Sequence, residues 1–96
     1  MEANAAINTS NELYQLEVLS DNMQAAGIRR GDMIYVKRCA SAENGELVVV
    51  KLNGELLLRY YSANGPKIQL LSAENALAPI EVDTRYCRFE VWGRVV

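Results

Sequence analysis

Histidine is missing from all 96 residues, and that absence removes several chemistries at once. A Ser-His-Asp or Cys-His nucleophile system needs an imidazole to carry the proton, and a His-ligated metal site needs one to bind. Cysteine is scarce: Cys39 and Cys87 lie far apart with no CxxC spacing. That pattern fits two reduced thiols of a cytoplasmic protein rather than a disulfide framework or a metal site. No apolar run approaches the roughly 20 residues that crossing a bilayer takes. The opening MEANAAINTS lacks the basic flank and apolar stretch of a secretory signal. Positive charge is not in surplus either. Ten Lys and Arg against twelve Asp and Glu leave a net charge of -2, which argues against a free-standing nucleic-acid binder. The sequence implies no cofactor and no metal.

The residues that are present describe a small globular domain. Half are hydrophobic and 23% are charged, which is not a disordered composition. At this length about two-thirds of the chain's surface can be buried on folding, so one thin core is feasible. Residues 1–12 are small and polar with no period of 2 or 3.6, and read as a flexible linker remnant ahead of a domain over residues 13–96.

From there strand-like runs alternate with turn signals. Strands are expected at Tyr14–Leu19, Met33–Arg38, Leu47–Leu52, Glu55–Ser62, Lys67–Leu71, Ile80–Val82 and Cys87–Val96, with Ser20–Asp32 a loop holding at most one helical turn. The fold class is therefore mainly β with little helix. Asn53-Gly54 is a strong hairpin signal, because both residues accept the positive φ of a type I′ turn. A two-residue turn sets Leu52 opposite Glu55, Val50 opposite Leu57 and Val48 opposite Arg59. Lys51, Val49 and Leu47 then oppose Leu56, Leu58 and Tyr60. Both faces of this ribbon are mostly apolar, so it should be covered on both sides, with Lys51 and Arg59 the charges to be accommodated.

Five segments in order resemble the C-terminal domain of LexA and its relatives, the lambdoid phage CI repressors and UmuD. SDNM (Ser20–Met23) stands where that family has a G-[DN]-S-M nucleophile motif. GIRRGDMIYVKR (Gly27–Arg38) is similar to its G-I-x-x-G-D-x-[VIL]-x-V stretch. NGELVVVKLNGELLLRYY (Asn44–Tyr61) resembles the hairpin that carries the family's lysine. LLSAENALAPIEV (Leu70–Val82) and FEVWGRVV (Phe89–Val96) are similar to the segments that close the domain. The resemblance covers about four-fifths of the chain and implies a LexA-like fold of small twisted antiparallel sheets.

It also implies a chemistry that this sequence does not follow. Family members cut their own chain with a Ser-Lys dyad, a neutral lysine removing the serine proton. The matching positions here carry Asn22 and Arg59. A guanidinium stays protonated at any accessible pH and has no lone pair to offer, and a carboxamide is a poor nucleophile. Ser20 would require a slip of two residues, which moves the atom roughly 7 Å along an extended chain. The family cleaves at an Ala-Gly or Cys-Gly bond upstream of the nucleophile; Ala26-Gly27, the one such dipeptide here, lies downstream and reads as a turn glycine. No self-cleaving activity is expected.

What the resemblance leaves is self-association, as a homodimer or higher oligomer. It implies that the closing strand, Arg88, Phe89, Glu90, Val91, Trp92, Gly93 and Arg94, pairs with its counterpart in a second copy. Read as a sheet-edge strand, it would offer unpaired backbone groups, with Phe89, Val91, Gly93 and Val95 on one face and Glu90, Trp92, Arg94 and Val96 on the other. Trp92 suits either an interface anchor or a core closure. Arg29, Arg30, Lys37 and Arg38 form the main basic cluster, read first as a solvated surface. The expected function is a non-catalytic oligomerisation and regulatory domain of a phage- or prophage-type transcriptional repressor. It would reach DNA only through a separate N-terminal domain, and be released by an antirepressor protein. The alternatives are an inactivated form of a self-cleaving peptidase of the SOS response, and a UmuD-like DNA polymerase accessory subunit.

Overall fold

A computed structural model describes residues 2–10, 13–74 and 77–96. Eight strands run in chain order: β1 Ala3–Ser10, β2 Leu13–Val18, β3 Met33–Arg38, β4 Leu47–Leu52, β5 Glu55–Asn64, β6 Lys67–Leu71, β7 Ile80–Asp83 and β8 Phe89–Val95. They form one sheet in the order β1-β2-β3-β8-β4-β5-β6-β7, antiparallel throughout. Among the described residues the helical content is one 3-10 turn, Gln24–Ala26, inside the loop expected at Ser20–Asp32. No helix among them is long and apolar enough to cross a membrane. The expected mainly β, antiparallel architecture with little helix takes the form of one curled sheet.

The β4–β5 ribbon is the centre of the molecule. Asn53 (φ 50°) and Gly54 (φ 89°) both sit at positive φ, and the register is the one the two-residue turn demands, from Leu52↔Glu55 to Leu47↔Tyr60. Both faces of the ribbon are covered, as its apolar pattern requires. Val49, Leu56 and Leu58 join a first core with Ala3, Leu16, Val18, Met23, Ile34 and Val36. Val48, Val50 and Leu57 join a second with Ile68, Leu70 and Val82, from β6 and β7. Lys51 stays exposed, whereas Arg59 is 5% exposed.

Two expectations are corrected. Ala3–Ser10, read as linker, is strand β1, paired with β2 from Ala3↔Val18 to Ser10↔Leu13 through two register irregularities. Its small polar residues carry no period, and tertiary pairing rather than propensity makes it a strand. Residues 1, 11 and 12 lie outside the described residues.

The second correction concerns β8, which is interior to the sheet rather than at its edge. β4 flanks it along Phe89–Arg94, and β3 flanks it at Gly93–Val95. A bulge lies where Val49 pairs Gly93 and Val50 pairs Val91, leaving Trp92 as the extra residue. The bulge breaks the simple alternation. Phe89 packs on the second core, while Trp92 and Val95 pack on the first. Gly93 permits the β3–β8 contact, since a Cβ there would lie 2.5 Å from Val36 Cγ1 and 2.6 Å from the Lys37 carbonyl oxygen.

Two tests follow from these contacts. Gly93→Ala forces β3 and β8 apart and should cost about 2 kcal/mol in urea denaturation, the scale of overpacking a fitted site. At the end of β7, Asp83 accepts from the Arg85 Nε (3.0 Å), Nη2 (2.7 Å) and backbone N–H (3.0 Å). The guanidinium bonds first, and then the backbone bond, hold its carboxyl down at about 2, from an ordinary 3.8. A depressed carboxyl contributes stability that is complete above the ordinary value and is lost as pH falls through the folded one. An NMR titration should therefore find Asp83 ionising near about 2, and Arg85→Ala should return it toward 3.8.

Candidate functional site at Arg59 and Asn22

Arg59 leaves β5 from the middle of the buried ribbon, opposite Val48. A cation there needs an anion within hydrogen-bonding range, because burying an unpaired charge is prohibitive. Glu2 supplies it. Arg59 Nε donates to Glu2 Oε1 at 3.1 Å and Nη2 donates to Oε2 at 2.6 Å, a bidentate pair with side chains only 7% and 12% exposed. Two further donors complete the carboxylate. Leu58 N–H gives to Oε1 at 3.2 Å, and Asn22 Nδ2 gives to Oε2 at 2.5 Å. Each oxygen thus accepts two bonds. Arg59 Nη1 is buried and has no partner among the described residues.

The backbone holds Glu2 in the same place. Its N–H donates to the Leu56 carbonyl at 2.8 Å, and its own carbonyl accepts from Leu19 N–H at 2.9 Å. β6 pairs with β5 only over Tyr60–Asn64, so Glu2 occupies the flank beside Leu56 and Leu58. The sheet is thereby bent round until the start of β1 meets β5, with Ala3 fully buried in the first core.

Asn22 is positioned by its loop. Met23 is fully buried in the first core and its carbonyl accepts from Ala26 and Ile28, with Gly27 (φ 85°) ending the 3-10 turn. The Asn22 carbonyl accepts from Ala73 N–H at 3.1 Å, and Ala25 N–H donates to Glu74 Oε1 at 3.0 Å. Ser20 Oγ is buried with no partner among the described residues.

The structure thus brings together Asn22 and Arg59, 37 positions apart in the chain, on one carboxylate oxygen. It adds Glu2, which sequence reasoning placed in a linker. The available signal was physical: a charge on a ribbon covered on both faces requires a counter-charge, and only tertiary structure says which. No group of His, Cys, Asp and Glu able to hold a metal ion occurs among the described residues. Cys39 and Cys87 are unbridged.

The other residues singled out by the sequence lie elsewhere. Trp92 packs edge-on to Tyr14, ring centroids 5.1 Å apart, and Arg38 stacks 4.3 Å above its ring. Of its two expected roles, these contacts are those of core closure. Arg29, Arg30, Lys37 and Arg38 are all exposed, and Arg38 is engaged by the indole. Along Arg88–Arg94, Arg88 exchanges bonds with Asn53, its N–H giving to Oδ1 and its carbonyl accepting from Asn53 N–H. Strand alternation therefore turns the N–H and C=O of Phe89 and Val91 away from β4, past the end of the β3 ladder.

The clamp makes a stability prediction. Glu2→Ala leaves a buried guanidinium uncompensated and should cost about 3 kcal/mol in urea denaturation. Glu2→Met with Arg59→Met should cost less than either single change, since apolar replacement of both partners removes the stranded charge.

Comparison with known proteins agrees with this architecture. The Peptidase S24-like family matches residues 1–96. The LexA repressor of Azoarcus sp. is 39% identical over 83 residues, 86% of this chain and 41% of that protein. The LexA repressor of Zymomonas mobilis subsp. mobilis is 38% identical over 84 residues, 86% of this chain and 38% of that protein. The LexA repressor of Geotalea uraniireducens is 33% identical over 84 residues, 88% of this chain and 42% of that protein. The chain therefore spans about two-fifths of the length of these relatives. With a mainly antiparallel β fold and a family match along its whole length, this chain belongs to the Peptidase S24-like family, as a LexA-like domain.

Proposed function

We propose that this chain is a non-catalytic, self-associating regulatory domain of a LexA/CI-like repressor of phage or prophage type, supporting DNA binding by a separate domain. The single observation behind the loss of cleavage is the engagement of Arg59 and Asn22 by Glu2. A dyad needs a hydroxyl to attack and a neutral nitrogen to take its proton. These two positions offer a carboxamide and a guanidinium, and both donate to one carboxylate. The Ser20 hydroxyl has no acceptor within hydrogen-bonding distance among the described residues to receive its proton. Release from DNA then falls to another trigger, and a protein antirepressor is the kind we favour.

Self-association is supported by β8. Phe89 and Val91 present two N–H and two C=O groups beyond the end of β3, and an antiparallel copy of the same stretch would satisfy them by twofold symmetry. Arg88, Glu90 and Arg94 are exposed around it and can pair with opposite charges on a second copy, while Trp92 and Gly93 fix the strand from within.

Intact-mass analysis after alkaline incubation tests the first half. A lysine base gains activity as it loses its proton, whereas this site should leave the protein, in its natural length, at a single mass. Complementary fragments formed without added protease would overturn the reading. Sedimentation tests the second half. A dimer is expected at about 100 μM, and a strict monomer there would put association below about 5.5 kcal/mol and remove the claim.

A further inference from the structure

Four donors converge on one carboxylate, and none of them belongs to the strand that brings it. Arg59 Nε and Nη2 and the Leu58 N–H come from β5, and Asn22 Nδ2 comes from the loop after β2. The loop is fixed by buried Met23 and by the Ala73 bond to the Asn22 carbonyl, and β5 by its ladder to β4. The Ala73 bond and the β4 ladder do not pass through β1. The donors are therefore arranged as a receptor, and Glu2 fills it as a ligand would. Arg59 Nη1, in a side chain 93% buried, still lacks an acceptor, so the receptor has donor capacity that Glu2 leaves unused.

β1 ends the sheet on one side, and its ladder to β2 is interrupted between Asn4 and Ile7 and again between Asn8 and Ser10. Besides its ladder to β2, its start is tied to β5 and the first core through the Glu2 carboxylate, the Glu2 N–H and buried Ala3. We propose that Arg59, Asn22 and the Leu58 N–H form a carboxylate-binding site, with Glu2 its ligand in cis and an extended strand bearing a carboxylate its ligand in trans. The first strand of a second copy, which carries the same contacts, is the occupant we assign. The inference rests on the hydrogen bonds and not on the absence of cleavage. It also involves β1 and β5 rather than β8.

In the native chain the cis ligand wins by effective concentration, so the trans site opens only when Glu2 is withdrawn. Glu2→Ala in the full chain opens it. Three probes then separate the sources of the carboxylate: the peptide MEANAAINTS, the same peptide with glutamine for glutamate, and sodium acetate against sodium chloride at equal ionic strength. The glutamate peptide should raise the melting temperature of the variant saturably, and the glutamine peptide should bind at least about tenfold more weakly, since it loses the charge-assisted bonds. Acetate should stabilise the variant over chloride, but only at far higher concentration than the peptide. Neither carboxylate should act so on the native chain, or on a Glu2→Ala chain that also carries Arg59→Met.

If Glu2→Ala does not fold alone, its refolding from urea is followed through the fluorescence of Trp92, and recovery with the glutamate peptide but not the glutamine peptide supports the site. Equal effects of the two peptides, in either format, overturn the carboxylate site. Acetate matching the glutamate peptide at equal concentration overturns the strand-borne ligand.

Discussion

A guanidinium fixed inside a protein is the constraint from which the rest of this structure follows. An amine on the same strand could shed its proton and sit neutral in a dry pocket, but a guanidinium keeps its charge and must be given an anion. With Arg59 only 5% exposed, the requirement is local and strict: the anion must come within hydrogen-bonding distance, and its own oxygens must find donors. Glu2 meets it with two bonds to each oxygen. An arginine at that position is thus inseparable from the placement of a residue 57 positions earlier in the chain.

Once Glu2 is held there, the path of the chain around it is largely settled. Its backbone fills the flank of β5 that β6 leaves open, Ala3 drops into the first core, and β1 runs back along β2. β1 contributes little propensity of its own, and its register slips twice. Its ladder to β2 is supplemented at the start by the Glu2 ion pair and by buried Ala3, which tie it to β5 and the first core.

That dependence explains what the sequence could and could not disclose. β3, β4 and β6 were legible to the residue, and so was the hairpin register, because β-branched runs and Asn53-Gly54 are local signals. Burial of both ribbon faces was legible from Val48, Val49 and Val50 beside Leu56, Leu57 and Leu58. Strand order was not. The placement of β8 between β3 and β4 depends on a glycine-sized gap at Gly93, and the bulge at Trp92 sends Phe89 and Val95 to different cores. The site was half legible. The resemblance pointed to Asn22 and Arg59, but no spacing rule connects either of them to Glu2, whose neighbours Ala3 and Asn4 carry no pattern.

The geometry also separates two features that a shared scaffold might be expected to couple. The Glu2 carboxylate lies on the β1 side of β5, and the Phe89–Val91 stretch of β8, past the end of the β3 ladder, lies on the far side of β4. Two strand spacings of about 4.8 Å stand between them, near the distance at which separate perturbations become additive. The intervening β4 is pinned by Val48, Val49 and Val50, all fully buried, two in one core and one in the other. A close-packed strand of that kind transmits displacement only if it moves as a unit, and burial on both faces resists that. β1 bears on the first core through Ala3, whereas Phe89 of β8 packs on the second. The carboxylate of Glu2 and the Phe89–Val91 stretch of β8 thus lie on opposite sides of the β4–β5 ribbon, and a change at one need not reach the other.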